Sequence, residues 1–207
     1  MPAQPPSSVA SADTVSVPER LLSAALELVR TEGMRSLSQA RVAAAAGLRQ
    51  SHLTYYFPTR RALLQALIER IHLEIMETVE PLLAAHSTPA GQLDRDALQC
   101  LRAFLVRRIR EPLLARLMLA LANMSDEDPV LRDWLAQHDR EMLEHLREVF
   151  HRMGLQPSES DLGLFHATFI GLVVLSTNTG DPARVEHYGQ LAGAAFDRLA
   201  AAAISCD

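Results

Sequence analysis

Apolar residues in this chain recur at intervals of three and four, and over no useful length do they alternate one by one with polar residues. That periodicity confines the fold to packed helices. Pro18 suits a first helical turn, and Leu21, Leu22, Ala25, Leu28 and Val29 make one apolar face that ends at Gly33. Ser38 is placed to cap a short alanine-rich helix over 39–46; Gly47 breaks it, and a second short helix is expected over 49–56. Pro58 and Thr59 open a long segment reaching about residue 85, with Leu63, Leu64, Leu67, Ile71, Ile75 and Val79 along one side. Beyond a turn at 87–91, helices are expected over 92–110, 112–124, 129–153, 158–177 and 182–203. No repeat at a solenoid period is present. The sequence therefore predicts an all-α protein: an N-terminal three-helix module with a helix-turn-helix, then a C-terminal helical bundle domain of about six helices. The expected divisions are a disordered tail over 1–16, a DNA-binding domain over 17–64, and a ligand-binding and dimerisation domain over 65–207.

Charge separates the two parts. The 207 residues carry a net charge of −5, yet residues 17–70 hold eight arginines against four glutamates, +4, which leaves −9 elsewhere. A basic end on an acidic body is the footprint of a protein that presents one end to nucleic acid. All the basic residues are arginine, as suits bidentate contacts to phosphate and guanine, although genomic base composition gives the same bias. No apolar run was found to approach the roughly 18 to 20 residues of a bilayer crossing, and no basic segment with an apolar core opens the chain, so a cytoplasmic protein without a membrane partner is expected. Cys100 and Cys206 lie far apart and predict no structural disulfide. His138 with His145, and His166 with His187, do not fall at metal-ligand spacing, so neither a metal nor another cofactor is expected. No nucleophile elbow, phosphate-binding glycine loop or zincin motif appears, and no catalytic residue is assigned.

The stretch from Gly33 to Leu67 combines a first helix ending in glycine, the pairs Val42-Ala43 and Ala46-Gly47, Leu53, the aromatic run Tyr55-Tyr56-Phe57, and a basic residue ahead of Ala62-Leu63-Leu64. In spacing and residue type it resembles the TetR family of bacterial transcriptional regulators. A helix that enters the major groove must expose side chains to base edges while its other face packs on the module. Arg49, Gln50, Ser51, His52 and Thr54 are the exposed candidates, and Leu53 and Phe57 should face inward. Gln50 can pair with adenine, Arg49 can take guanine or phosphate, and His52 and Thr54 can read a base edge or a thymine methyl. Ser38, Tyr55, Tyr56 and Arg60 are read as phosphate anchors, with Arg41 and Arg61 as weaker ones. The resemblance implies the same positions, with a lysine usual where this chain has Arg60. Most relatives carry tyrosine where this chain has Thr54.

One recognition helix reads too few base pairs for genomic specificity, so a homodimer on a palindromic double-stranded operator is expected. Gly163, Ala167 and Gly171 recur every four residues, as do Gly189 and Gly193, and with Leu191, Ala195, Phe196 and Leu199 they make a candidate interface. The resemblance implies such a four-helix contact; intrachain packing of the same faces is the alternative. It also implies a small-molecule effector held by the C-terminal helices, whose binding moves the long fourth helix and weakens operator binding by linkage. Candidate pocket residues are Phe104, Arg107, Met118, Leu121 and Trp134, and further along His138, Met142, Phe165, His166 and Phe169, each of which fits core packing as well. Two other readings stay open: a helical ligand carrier or enzyme with a vestigial DNA-binding motif, and a regulator that works without an effector. A filled C-terminal core would favour the last.

Overall fold

The computed structural model describes residues 15–85, 95–111 and 113–204. Among these residues the regular structure is helical, with no strand: α1 (Val17–Glu32), a 3-10 turn (Met34–Ser36), α2 (Gln39–Ala45), α3 (Gln50–Tyr56), α4 (Arg60–Ala85), α5 (Arg95–Ile109), α6 (Leu113–Ser125), α7 (Pro129–Arg152), α8 (Glu159–Thr177) and α9 (Pro182–Ile204). The all-α expectation is met, and the boundaries fall within three residues of those read from the sequence. The 3-10 turn was not foreseen. Of the expected tail over 1–16, residues 1–14 lie outside the described residues, as do the turn at 87–91 and Cys206, while Ser16 caps α1. Two compact units divide the chain at Leu63 and Leu64, within α4.

In the first unit, α1 packs on α2 and α3, and α2 on α3. Leu21, Ala25 and Val29 of α1, Val42 and Ala43 of α2, and Leu53 of α3 are its buried positions, at the three- and four-residue spacing of amphipathic helices. Each start has a physical cause. Ser16 accepts the backbone N–H of Glu19 at 3.4 Å, Ser38 that of Arg41 at 3.4 Å, and Thr59 that of Ala62 at 3.0 Å, each satisfying a donor that a helix N-terminus leaves unpaired.

In the second unit, α9 packs along α8 and α5, while α8 also meets α5, α6 and α7. Its core is aromatic: the Phe150 ring lies 5.7 Å from Phe196 and 6.5 Å from Phe165, and Phe165 lies 6.2 Å from Phe196. A second cluster gathers Ile109, Ala115, Leu172, Val173 and Ala192. Arg102 on α5 donates from Nε to both oxygens of Asp197 on α9, at 2.9 and 3.0 Å. Arg152 on α7 does the same to Glu80 on α4 from one terminal nitrogen, at 2.8 and 2.9 Å.

One expectation needs correction. The helix Glu159–Thr177 is long and apolar enough to cross a membrane, with a mean hydropathy of 1.4, and most of it is not buried. Its acidic residues sit in the first turn, where they favour the helix N-terminus, and leave the rest apolar on both faces. One face packs in the core through Leu162, Phe165, Leu172 and Val173; the other exposes Leu164, Ile170 and Leu175.

Candidate nucleic-acid interface and ligand cavity

The turn between α2 and α3 is fixed by backbone geometry. Leu48 N–H reaches back to Ala43 O at 2.8 Å and Gly47 N–H to Ala44 O at 3.0 Å, which ends α2 in a six-residue glycine cap. Gly47 has φ +66°, a left-handed conformation that a side chain disfavours. Arg20 of α1 then donates to the Ala46 carbonyl at 2.8 Å and ties the turn to the first helix. Leu53 is fully buried and Phe57 nearly so, as expected, and these two hold α3 with its polar face outward.

That outward face carries the sequence candidates. Arg49, Gln50, Ser51, His52, Thr54, Tyr55 and Tyr56 are all exposed, Tyr55 at 79%. Gln50 donates to Gln39 of α2 at 3.4 Å, a weak bond that a base edge can replace. Thr54 donates its hydroxyl to the Gln50 carbonyl at 3.1 Å and keeps its oxygen lone pairs to accept with. His52 Nδ1 accepts the Arg49 N–H at 3.3 Å, so the ring proton sits on Nε2 and the exposed edge is a donor, fit for phosphate or a guanine acceptor. The Tyr55 and Tyr56 rings meet edge to face at 5.0 Å. Two of the proposed anchors also hold the module together: Arg41 pairs with Glu32, and Arg60 donates to the Leu37 carbonyl at 3.2 Å. Ser38 is exposed at the start of α2, where its cap role occupies one lone pair. Arg60 keeps four further N–H groups for phosphate.

The second unit contains an apolar cavity of about 80 Å³ among α4, α5, α7, α8 and α9. Phe104, Met142 and Phe165 line it, as the sequence had them. The other pocket candidates lie elsewhere: Leu121 is fully buried and Met118 half-buried on α6, and Phe169 packs between the two core clusters. Arg107 is exposed, with its guanidinium 5.7 Å from the Phe104 ring centre. Trp134 stacks on His138 at 5.1 Å, and His166 Nδ1 lies 3.4 Å from an Asp139 carboxylate oxygen. Sequence reasoning missed the wall built by Ile75, Met76 and Val79 of α4, although Ile75 and Val79 belong to the apolar side it identified. It also missed His145 as a lining residue.

A histidine cluster adjoins this cavity. His72 of α4 meets His145 at 4.9 Å and His138 at 5.8 Å between ring centres. The seven-residue separation of His138 and His145, which puts both on one helical face, was the available signal. Burial chiefly, and then the two neighbouring imidazoles, hold His72 below its ordinary pKa, with Glu141 opposing. Burial lowers His138 and His166 as well, against the pull of nearby carboxylates. His145 Nδ1 lies 2.7 Å from the Glu141 carbonyl; a carbonyl only accepts, so Nδ1 bears the proton of that bond. Among the described residues no group of three or more His, Cys, Asp or Glu is arranged to hold a metal.

The residues considered for a dimer surface divide into two sets. Gly189 and Gly193 are used within the chain: a Cβ at Gly189 would meet Val106 at 3.2 Å, and one at Gly193 would meet Arg102 at 2.6 Å. Phe196 and Leu199 are core residues. By contrast, Ala167 and Gly171 are exposed and Gly163 is half-exposed, and no atom lies within 4 Å of a Cβ built at either glycine. Leu191 of α9 is exposed.

Residues 21–67 match the model of the bacterial regulatory proteins, tetR family. No curated protein matches the chain. Among solved structures, a TetR transcription regulator from Haloarcula marismortui is 18% identical, with a TM-score of 0.66 over 87% of this chain and 96% of that one. SmeT, the repressor of the Stenotrophomonas maltophilia multidrug efflux pump SmeDEF, is 20% identical, with a TM-score of 0.56 over 90% of each chain. Its triclosan complex is 22% identical, with a TM-score of 0.58 over 89% of this chain and 90% of that one. At these identities the likeness establishes a shared fold, and the match to the tetR family of bacterial regulatory proteins lies in residues 21–67, the helix-turn-helix segment.

Proposed function

We propose that this transcriptional regulator is a cytoplasmic repressor that binds a palindromic operator as a homodimer and is released by a small molecule in the cavity of its second unit. The observation that carries the reading is α3: its seven residues leave Gln50, Ser51, His52, Thr54 and Tyr55 outward on a helix held by buried Leu53. Groove recognition needs that division between a reading face and a packing face.

The cavity supports the effector. Its lining is apolar, so a ligand that fills it removes that surface from water. Ile75, Met76 and Val79, which line the cavity, lie on the helix whose first turn carries Arg60. A ligand that prefers one position of α4 therefore has a covalent route to the anchor, and by linkage operator and ligand weaken each other equally. SmeT, described as a repressor and solved with triclosan, is a precedent for both halves of the reading.

Dimerisation is supported by α8. A helix apolar on both faces buries both, and the outer face of Leu164, Ala167, Gly171 and Leu175 is open in the single chain. Because Gly171 faces open space, Gly171→Leu leaves the monomer fold intact and is expected to lower dimer affinity in sedimentation. Unchanged sedimentation would remove this face from the interface. The reading as a whole is tested by selecting genomic DNA fragments with the purified protein at two salt concentrations, which separates specific from phosphate-driven binding. A palindromic site enriched at both is expected; no enriched site at either would reject the repressor.

A further inference from the structure

We infer that Gln39 of α2, a residue outside the set of candidate DNA contacts, is a positioning residue for Gln50, and that the pair turns α3 toward adenine and against guanine at the base Gln50 meets. The inference rests on the reading of α3 as the base-reading helix and adds how one of its residues chooses.

The backbone brings the two amides together. Gln39 is the first residue of α2, four before buried Ala43, and Gln50 is the first residue of α3, three before buried Leu53. At those spacings each shares a helical face with the buried residue that follows it. α2 packs on α3, and the turn between them is fixed by the Gly47 cap and by the Arg20 bond to the Ala46 carbonyl. The span from Gln39 to Gln50 is therefore set by packing and by the turn. Across it Gln50 Nε2 donates to Gln39 Oε1 at 3.4 Å. Gln39 is half-buried and Gln50 exposed, so the acceptor is the better held of the two.

Counting donors and acceptors then selects the base. A glutamine amide has two N–H donors on its nitrogen and one carbonyl acceptor. With one hydrogen on Gln39 Oε1, Gln50 is left with one donor and its carbonyl oxygen to offer. Adenine presents the complement in the major groove, an acceptor at N7 and a donor at N6, whereas guanine presents two acceptors, N7 and O6. A free glutamine amide can meet guanine with both hydrogens. The bond to Gln39 withdraws one of them and sets Gln50 Oε1 against guanine O6, acceptor against acceptor. A base edge can replace so weak a bond, but adenine does not need to, because the second hydrogen serves it. Guanine is bound only by breaking the pair; adenine is bound with the pair intact.

The test is the affinity of the full chain for its selected operator with adenine or guanine at the position where Gln50→Ala loses base preference. Wild type is compared with Gln39→Met, which keeps the length and removes the acceptor, and with Gln39→Glu, which keeps an acceptor; unfolding midpoints verify that both variants fold. Wild type should favour adenine over guanine. Gln39→Met should lower that ratio about fivefold, the worth of one hydrogen bond. Gln39→Glu should keep the ratio while its charge weakens all sequences alike. In the Gln50→Ala background, Gln39→Met should leave the ratio unmoved. If Gln39 only supports α2, Gln39→Met lowers every affinity together with the ratio intact, and the inference is overturned. A wild-type preference for guanine would overturn it too, since the amides would then face the other way with Gln39 donating, as would a Gln39→Met effect on the ratio that persists in Gln50→Ala. Gln50→Ala that changes base preference at no position would sink the reading of α3 and this inference with it. Gln50→Ala that erases a preference which Gln39→Met leaves intact would sink the inference alone.

Discussion

The two units are built for opposite uses of a side chain. In the first, apolar residues form a small frame and the proposed reading residues Gln50, His52 and Thr54 lie outside, their donors and acceptors oriented by neighbours. In the second, the proposed effector site lies inside, a space bounded by Val79, Phe104, Met142 and Phe165. A reading surface must be rigid and wet, whereas a sensing cavity must be dry and able to give. The first unit meets its need with hydrogen bonds at Gly47 and Ser38; the second relies on aromatic packing.

Several substitutions would sharpen or break this contrast. The largest effect is expected at Phe150, which touches two other phenylalanines and is 1% exposed: Phe150→Ala should cost about 3–5 kcal/mol in denaturant unfolding. A loss under about 1 kcal/mol would mean that the aromatic cluster does not hold the second unit. Gly47→Ala acts on the first unit through backbone alone. A Cβ there meets only Arg20, at an ordinary 3.6 Å, so the cost should be the left-handed conformation itself, about 1–2 kcal/mol, readable as a lowered unfolding midpoint. No change would show that the turn relaxes freely.

The smallest effect is expected from pH, and it should come from the second unit. His72, His138 and His166 sit below the ordinary value of 6.5 in the folded chain and return to it on unfolding. Between those values the unfolded chain binds more protons, so stability rises with pH; the contribution is complete above about 6.5 and lost as pH falls through the folded values. Unfolding midpoints at about pH 7.5 and pH 5.5 check the sign, and His72→Gln should lessen the drop, since His72 contacts both His138 and His145. A midpoint that rises on acidification would contradict the assignment.

The same contrast explains what the sequence made legible. Helix starts at Ser38 and Thr59, the break at Gly47 and the inward Leu53 are local: each depends on neighbours within about five residues, and one chain suffices to read them. The exposed face of α3 follows from that local pattern. A cavity depends on residues distant in sequence that face one point, and there periodicity ranks Leu121 and Phe104 alike, although only Phe104 borders the space. Gly163, Ala167 and Gly171 show the same limit beside Gly189 and Gly193. Both sets read as small-residue ridges, and only the packing of α5 on α9 tells which is already covered.

The central claim is that the first unit separates reading from anchoring, Gln50 serving the first and Arg60 the second. Its most direct test is the affinity of the wild-type chain, Gln50→Ala and Arg60→Ala for the selected operator and its single-base variants, with folding of both variants verified. The account predicts that Gln50→Ala loses about 1–3 kcal/mol on the preferred base at one position and no longer discriminates there. Arg60→Ala should weaken every sequence about equally and lower the salt slope by about one. Full affinity in both variants, or a Gln50→Ala loss that is uniform across all sequences, would contradict it.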